Sequence, residues 1–367
     1  MFFALAAEYK LYIHQLDVTT AYLKSDLEEE CYMEQPRGFT DPDHPNWVLR
    51  LNKAIYGLKQ SGRAWNSTLN AVLEKLNFAS CENELRIELP WEVGCDGDIG
   101  SISIGQKQYV QNLLRQYGME QCKTVSTPLD CGFKINRNDD SIKMVDKTEF
   151  QSLIGALVYL AISTRPDIQH SVSKLAQCNS NPNVEHMSGA KHILKYLAKT
   201  VDFKLHYKST GDPICGFADA DWGGEPIDRK SYSGYAFLFG GGPVSWDSKK
   251  QTIVALSSTE AEYVALCNGA KEAVYLKRLI AEIGYCYNDN PMVLKCDNQS
   301  AQHLALNKVY HARTKHIDIK YHYIRSILEN KLIVLVYTST SDMIADIFTK
   351  NLTKEKHLKF IKALGIY

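Results

Sequence analysis

At 367 residues the chain is long enough for two or three domains, each able to bury a core. Apolar content of 45% with 23% charged residues argues against disorder, and a formal charge of zero means that any nucleic-acid footprint must be local. Residues 206–367 hold 20 Lys and Arg against 17 Asp and Glu, and residues 1–205 the remaining 22 against 25, so the C-terminal part is mildly basic. Ten cysteines without a Cys-x-x-Cys pair exclude a zinc knuckle and fit reduced thiols of the cytosol or nucleus. The start, MFFALAAEYK, lacks the basic leader and apolar length of a signal peptide. The apolar run LIGALVYLAI at 153–162 has about half the length that a bilayer requires, so it reads as a buried helix and no membrane partner is expected.

In chain order three segments are expected. Residues 1–78 read as helix, strand and loop, through AAEYKLYIHQLDV, the Pro-rich PRGFTDPDHPN and an amphipathic helix RAWNSTLNAVLEKL with apolar Trp65, Leu69, Val72, Leu73 and Leu76. Residues 79–205 start irregularly, then give the helix QKQYVQNLLRQYG, a polar linker and helices near 148–163 and 184–199. Residues 206–367 open with a hairpin, SYSGYAFLFGGGPVSW, turning at Gly240, Gly241 and Gly242, and a strand QTIVALS. A helix from Thr259 to about Ile283 follows, then the strand MVLKC, a helix from Asn298, a helix from about Lys315 to Glu329, the strand KLIVLVY and a last helix from near Ser341. This order predicts an α/β fold of mixed α+β type, a mixed sheet flanked by helices.

Four acids stand at informative places: Asp219 in GFADADW ends a strand, Glu262 in SSTEAEY sits in the first turn of the long helix, Asp297 in KCDNQSA follows an apolar strand and Asp346 in MIADIFTK lies within the final helix. Carboxylates gathered at one sheet edge repel unless cations neutralise them, and hard oxygen ligands suit Mg²⁺ or Mn²⁺. Two such ions about 3.5–4 Å apart can cleave a phosphodiester. Three of these acids also have an ordinary reading. Asp219 and Asp221 serve as turn acids, Asp297 caps the next helix, and Glu262 completes a capping box with Thr259. Asp17, in QLDVTTAYLKSDL, is a fifth acid at a strand end and needs partners to hold a metal.

A basic stretch follows at 308–331. Ile317, Tyr321, Ile324 and Leu328 are expected to form its buried stripe, which turns His316, Lys320 and Arg313 outward, with Lys315 and Arg325 nearby, to meet phosphates. A solvated helix face is the alternative.

The motifs FADADW, SYSGY, VSWDSKKQ, ALSSTEAEYVAL, CDNQSAQHLAL, RTKHIDIKYHYIR and ADIFTK resemble, in order, the ribonuclease H domain of Ty1/copia-type retrotransposon polyproteins. The resemblance implies a ribonuclease H-like fold and cleavage of the RNA strand of an RNA–DNA hybrid. It assigns Asp219, Glu262, Asp297 and Asp346 as the ligands of two ions, Asp219 bridging both, Glu262 and Asp297 completing one site and Asp346 the second. The segments QLDVTTAYLKSDLEEECYMEQPRGF, LNKAIYGLKQSGRAW and LIGALVYLAISTRPDI resemble the reverse transcriptase of the same family, in fingers and palm. That likeness makes Asp17 the first metal-binding acid of the polymerase and puts Lys59, Gln60 and Arg63 near the incoming nucleotide. The family's Tyr-x-Asp-Asp hairpin has no counterpart, ASCENELRIELPWEVGCDGDIG standing in its place. An internal deletion, loss of polymerase activity and an exposed apolar face on the shortened palm are therefore expected. The rival expectation is a catalytically silent, nucleic-acid-binding remnant.

Overall fold

The helical and strand patterns resolve into a mixed α/β structure. The computed structural model describes residues 1–13, 18–76, 92–95, 100–135, 143–225, 228–283, 290–306 and 318–367. Contacts divide the chain into two units, residues 13–87 and residues 1–12 with 88–367. Helix α1 (Phe2–Glu8) belongs to the larger unit and buries Phe3 to Ala7; the strand expected to follow it is not formed over residues 9–13.

In the smaller unit β1 (Tyr32–Glu34) pairs antiparallel with β2 (Val48–Arg50), and α2 (Ser61–Lys75) follows. A two-stranded ladder is marginal by itself. Among the described residues of this unit only Ser25, Ala54 and Ser61 are buried, while Phe39 is 82% and Trp47 64% exposed. The apolar stripe of α2 is present but half-covered: Trp65, Leu69 and Leu73 are intermediate, and Val72 and Leu76 are exposed. Large apolar side chains are thus left exposed among the described residues of this unit.

The larger unit continues with β3 (Glu92–Cys95), β4 (Ser101–Gly105), α3 (Lys107–Gln116), α4 (Lys147–Ser163), α5 (Gln169–Ala176), α6 (Val184–Lys199) and β5 (Leu205–Lys208). Strands β3, β4 and β5 form an antiparallel sheet in that order. Helix α5 is additional to the expected set. Pro166 cannot continue α4, and it opens a 3₁₀ turn, Pro166–Ile168, that runs directly into α5.

Next come β6 (Cys215–Ala220), β7 (Tyr232–Phe239), β8 (Gly242–Lys250), α7 (Ser258–Glu282), β9 (Met292–Cys296), α8 (Gln299–Leu306), α9 (Asp318–Glu329), β10 (Ile333–Tyr337), a 3₁₀ turn Ile344–Phe348 and α10 (Lys354–Ala363). They build one five-stranded sheet of order β10-β9-β6-β7-β8. Strands β6, β9 and β10 are parallel, and β7 and β8 add antiparallel. The β7–β8 turn places Gly240 at φ 59° and Gly241 at φ 75°, the pair of positive values that a tight hairpin requires.

Three expectations are corrected here. The strand over QTIVALS does not form, because the Gln251 amide donates to Ser233 Oγ at 2.8 Å and Ala261 O at 2.9 Å and turns the chain toward α7. The last helix is two elements, and Asp346 lies in the 3₁₀ turn ahead of α10. The buried stripe of α9 is Ile324 and Ile327, with Leu328 intermediate; Ile317 and the Tyr321 side chain lie outside the described residues.

A buried polar network ties α4–α6 to α10. Arg165 Nε and Nη2 donate to the two oxygens of Asp167 at 2.9 and 2.8 Å, and its Nη1 and Nη2 reach Thr200 O and Oγ1 at 3.0 and 2.6 Å. Tyr196 donates to Asp167 Oδ2 at 2.7 Å, and His357 Nε2 lies 3.2 Å from the Tyr196 hydroxyl. Such a pair adds little net stability, yet removing one partner costs about 3–5 kcal/mol because the other is left buried and charged. Burial, with the Arg165 charge opposed by Asp167, holds His357 down to about 4, and burial next to Lys174 and Lys350 holds His170 down to about 3, against an ordinary 6.5. Both imidazoles fold as neutral rings. Their contribution is therefore full above pH 6.5 and is lost as pH falls through the folded values. The unfolding midpoint should drop on acidification from about pH 6.5 to 4, less steeply in His357→Gln; an equally steep drop in that variant would contradict the assignment.

Candidate active site

The parallel register of β6 and β9 pairs Phe217 with Lys295, so two residues further on Asp219 and Asp297 leave neighbouring strands at one edge of the sheet. Helix α7 crosses β6 closely: a Cβ on Gly269 would sit 3.2 Å from Ala218 Cβ. That approach carries Glu262, in the second turn of α7, to the same edge. Asp346 arrives from the 3₁₀ turn. Gly234, the cross-strand partner of Asp219, makes room for that turn, because a Cβ there would lie 2.5 Å from Phe348 Cβ and 3.0 Å from Thr349 Cγ2.

The ordinary roles open to these acids fall to other residues. Ser257 caps α7, accepting from Glu260 N at 3.2 Å, while Glu260 reaches back to Leu256 N at 2.8 Å. Glu262 takes no part in that cap. Asn298 caps α8, accepting from Ala301 N at 2.9 Å, which leaves Asp297 free of that duty. Asp221 does behave as a turn acid: it accepts from Tyr232 N, and burial pushes it up to about 6.

The electrostatics follow from burial. Asp219 is 1% exposed, Glu262 7% and Asp346 fully buried, while Asp297 is intermediate. Burial pushes Asp219 up to about 7; Asp346 and Asp297 add to the rise, against Lys350 and the Thr349 hydroxyl, which donates to Asp219 Oδ2. Burial and the charges of Asp219 and Asp297 push Glu262 up to about 10. Its Oε2 is buried and accepts no hydrogen bond. Oxygens of Glu262 and Asp297 and the Cys296 sulfur lie within 4.8 Å of one another. Burial pushes the Cys296 thiol up, so it stays protonated and is no ligand for a hard cation. Asp297 Oδ2 accepts from Thr340 Oγ1 at 2.7 Å. The carboxylate oxygens, one of them unpaired, fit a hard divalent ion such as Mg²⁺ or Mn²⁺.

Three residues of the edge were not singled out from sequence. Lys350 Nζ lies 2.7 Å from Asp346 Oδ1 and 3.7 Å from Asp219 Oδ2, and Lys356 pairs with Asp346 Oδ2. The i,i+4 spacing of Asp346 and Lys350 was the available signal. Trp222, 61% exposed, donates its indole N–H to Ala255 O at 3.3 Å three residues beyond Asp219.

Only some of the remaining expected residues are described. Arg313, Lys315 and His316 lie outside the described residues, as does Asp17. Lys320, expected to point outward, is half-buried beside Cys267, Lys271 and Glu260, where burial lowers its pKa; α9 packs on α7 at this point. Arg325 is also half-buried. Lys59 and Arg63 are exposed around the start of α2, and Gln60 Nε2 donates to Cys31 Sγ at 3.0 Å.

If the carboxylates hold divalent ions, Mg²⁺ or Mn²⁺ should raise the unfolding temperature of metal-stripped protein at pH 8, by about 2.7 kcal/mol of stability at a hundredfold excess over Kd. Glu262→Gln should shrink that gain while stabilising the metal-free form; an equal gain in the variant would contradict the assignment.

The family described as reverse transcriptase (RNA-dependent DNA polymerase) matches residues 1–89. The chain is 34% identical over 409 residues to the retrovirus-related Pol polyprotein from transposon TNT 1-94 of Nicotiana tabacum, a match covering 96% of this chain and 31% of the relative. It is 33% identical over 403 residues to the retrovirus-related Pol polyprotein from transposon RE1 of Arabidopsis thaliana, covering 96% and 27%. The chain thus spans about a third or less of the length of these relatives. Both alignments are longer than the whole chain, so the relatives carry residues within the matched span that this chain lacks. Among solved structures, a ribonuclease H1 in complex with RNA/DNA hybrid overlaps 37% of this chain and 93% of its own, at 17% identity and a TM-score of 0.28.

Proposed function

The chain belongs to the Pol polyproteins of copia-type retrotransposons, and from that premise we propose that its C-terminal part, residues 206–367, hydrolyses the RNA strand of RNA–DNA hybrids. Asp219, Glu262, Asp297 and Asp346 would hold two divalent ions, Mg²⁺ or Mn²⁺. Bound there, the ions supply an activated water and a counter-charge for the leaving oxygen. The chain's own part is to keep four oxygen donors at one edge, in a site dry enough for their charges to act strongly. The observation that carries this reading is the buried, unpaired Oε2 of Glu262 beside Asp219 and Asp297. No hydrogen bond within the protein relieves that oxygen, and a cation would.

Hybrid binding would rest on cationic and aromatic groups. Arg313, Lys315, His316 and Arg325 are the proposed phosphate contacts, which position the duplex without reading its sequence; Lys320, packed against α7, is not among them. Selection of the RNA strand would require contact with its 2′-hydroxyls.

For the full chain, Mg²⁺-dependent cleavage of a labelled hybrid is expected. Asp219→Asn should lower the rate by more than about 100-fold, the loss that disturbing an outer-shell partner alone can reach, while hybrid binding stays close to wild type. Cleavage by the variant at the wild-type rate would refute the assignment. Binding without cleavage by the wild-type protein at any metal concentration would identify a silent remnant instead.

The N-terminal part is a shortened reverse transcriptase in this reading, with Asp17, Lys59, Gln60 and Arg63 as its residual polymerase residues. Two metal-binding centres are needed to set a primer end against a triphosphate, and no Tyr-x-Asp-Asp motif occurs in the sequence. Primed, template-directed dNTP incorporation by the full chain should be undetectable; incorporation above that of Asp17→Asn would overturn the loss.

A further inference from the structure

The four acids share an edge, but their neutralisation is uneven. Among the described residues neither Glu262 nor Asp297 has an ion-pair partner, and Glu262, 7% exposed, keeps a buried oxygen without a hydrogen bond. The other two are gathered by protein cations. Lys350 Nζ bridges Asp346 Oδ1 at 2.7 Å and Asp219 Oδ2 at 3.7 Å. Lys356 takes the second oxygen of Asp346, and the Thr349 hydroxyl donates to Asp219. The side chains of Asp219 and Asp346 are 2% and 0% exposed, whereas those of Lys350 and Lys356 are 39% and 32% exposed. The acids are fixed in the core, and the ammonium groups reach them from the solvent side.

We propose that the Lys350 ammonium is the resident cation of the Asp219–Asp346 half of the site, and that a second divalent ion enters that half only by displacing it. The proposal rests on the carboxylates being metal ligands, as in the reading above. An ammonium held between two carboxylate oxygens occupies the charge-compensating position that a divalent ion would take, and two cations cannot share it without strong repulsion. The Glu262–Asp297 half carries no such competitor and fills first. The second ion binds more weakly by the free energy of breaking the Lys350 pairs. In the metal-free protein the same ammonium keeps Asp219 and Asp346 together against their mutual repulsion. Lys350 is therefore a positioning residue that sets the order and concentration range of metal uptake.

The test is a Mn²⁺ titration of the full chain, with free Mn²⁺ read by electron paramagnetic resonance. Lys350→Met and Lys350→Gln are the variants, and Lys356→Met, which removes a cation from Asp346 alone, is the control. Wild type should show two classes of site. Each Lys350 variant should tighten the weaker class by about tenfold or more, leave the tighter class in place and lower the metal-free unfolding temperature. Lys356→Met should tighten the weaker class less. If one Lys350 variant fails to fold, the other gives the same reading. A weaker class that is unchanged or loosened in a folded Lys350 variant sinks the displacement while leaving the metal site standing. Absence of Mn²⁺ binding to wild type sinks the site itself.

Discussion

Repulsion among carboxylates held out of water at one edge of a sheet is the constraint on which the rest depends. The parallel pairing of β6 with β9 brings Asp219 and Asp297 to adjacent strand ends, and the close packing of α7 adds Glu262. Burial raises the proton affinity of Asp219 and Glu262 because water no longer screens or solvates their charge. A fold that concentrates unfavourable charge in this way is stable only where bound protons or cations at the edge offset it. Lys350 and Lys356 supply part of it from within the chain.

The scaffold around the edge is arranged to hold it rigid. Gly234 lets the 3₁₀ turn with Asp346 lie against the strand opposite Asp219, and the Ser248 hydroxyl donates to Phe348 O at 2.6 Å, fixing the same turn. Behind it, the Arg165–Asp167–Tyr196–His357 network fastens α10 to the helices of residues 147–199. Those helices therefore belong to the same unit as the five-stranded sheet, although the sequence pattern suggested a division near residue 205. The smaller unit has no comparable core among its described residues.

Much of this was legible from residue pattern alone. Long periodic helices such as α4, α6 and α7 and the triple-glycine hairpin carried strong local signals, and Asp219 and Asp297 stood out by their place at the ends of apolar strands. Misreadings arose where tertiary contacts override local preference. QTIVALS has strand composition, yet the Gln251 side chain spends its hydrogen bonds on Ser233 and Ala261. Thr259 and Glu262 have capping-box spacing, yet Ser257 and Glu260 form the cap two residues earlier. Lys320 sits on a basic stretch, yet α9 turns it toward α7. Lys350 was visible only through its i,i+4 spacing from Asp346, because its contact with Asp219 depends on a strand 130 residues from its neighbour Thr349, as the Thr349–Asp219 bond shows.

The most direct test of the account is a crystal structure of the full chain grown with Mn²⁺ and read by anomalous scattering. The account requires a peak coordinated by Glu262 and Asp297 at the end of β6 and β9, and a second peak beside Asp219 and Asp346 at higher Mn²⁺ with Lys350 moved away. A fully ordered site without a peak at Glu262 and Asp297, under Mn²⁺ sufficient to occupy other carboxylates of the chain, would contradict it.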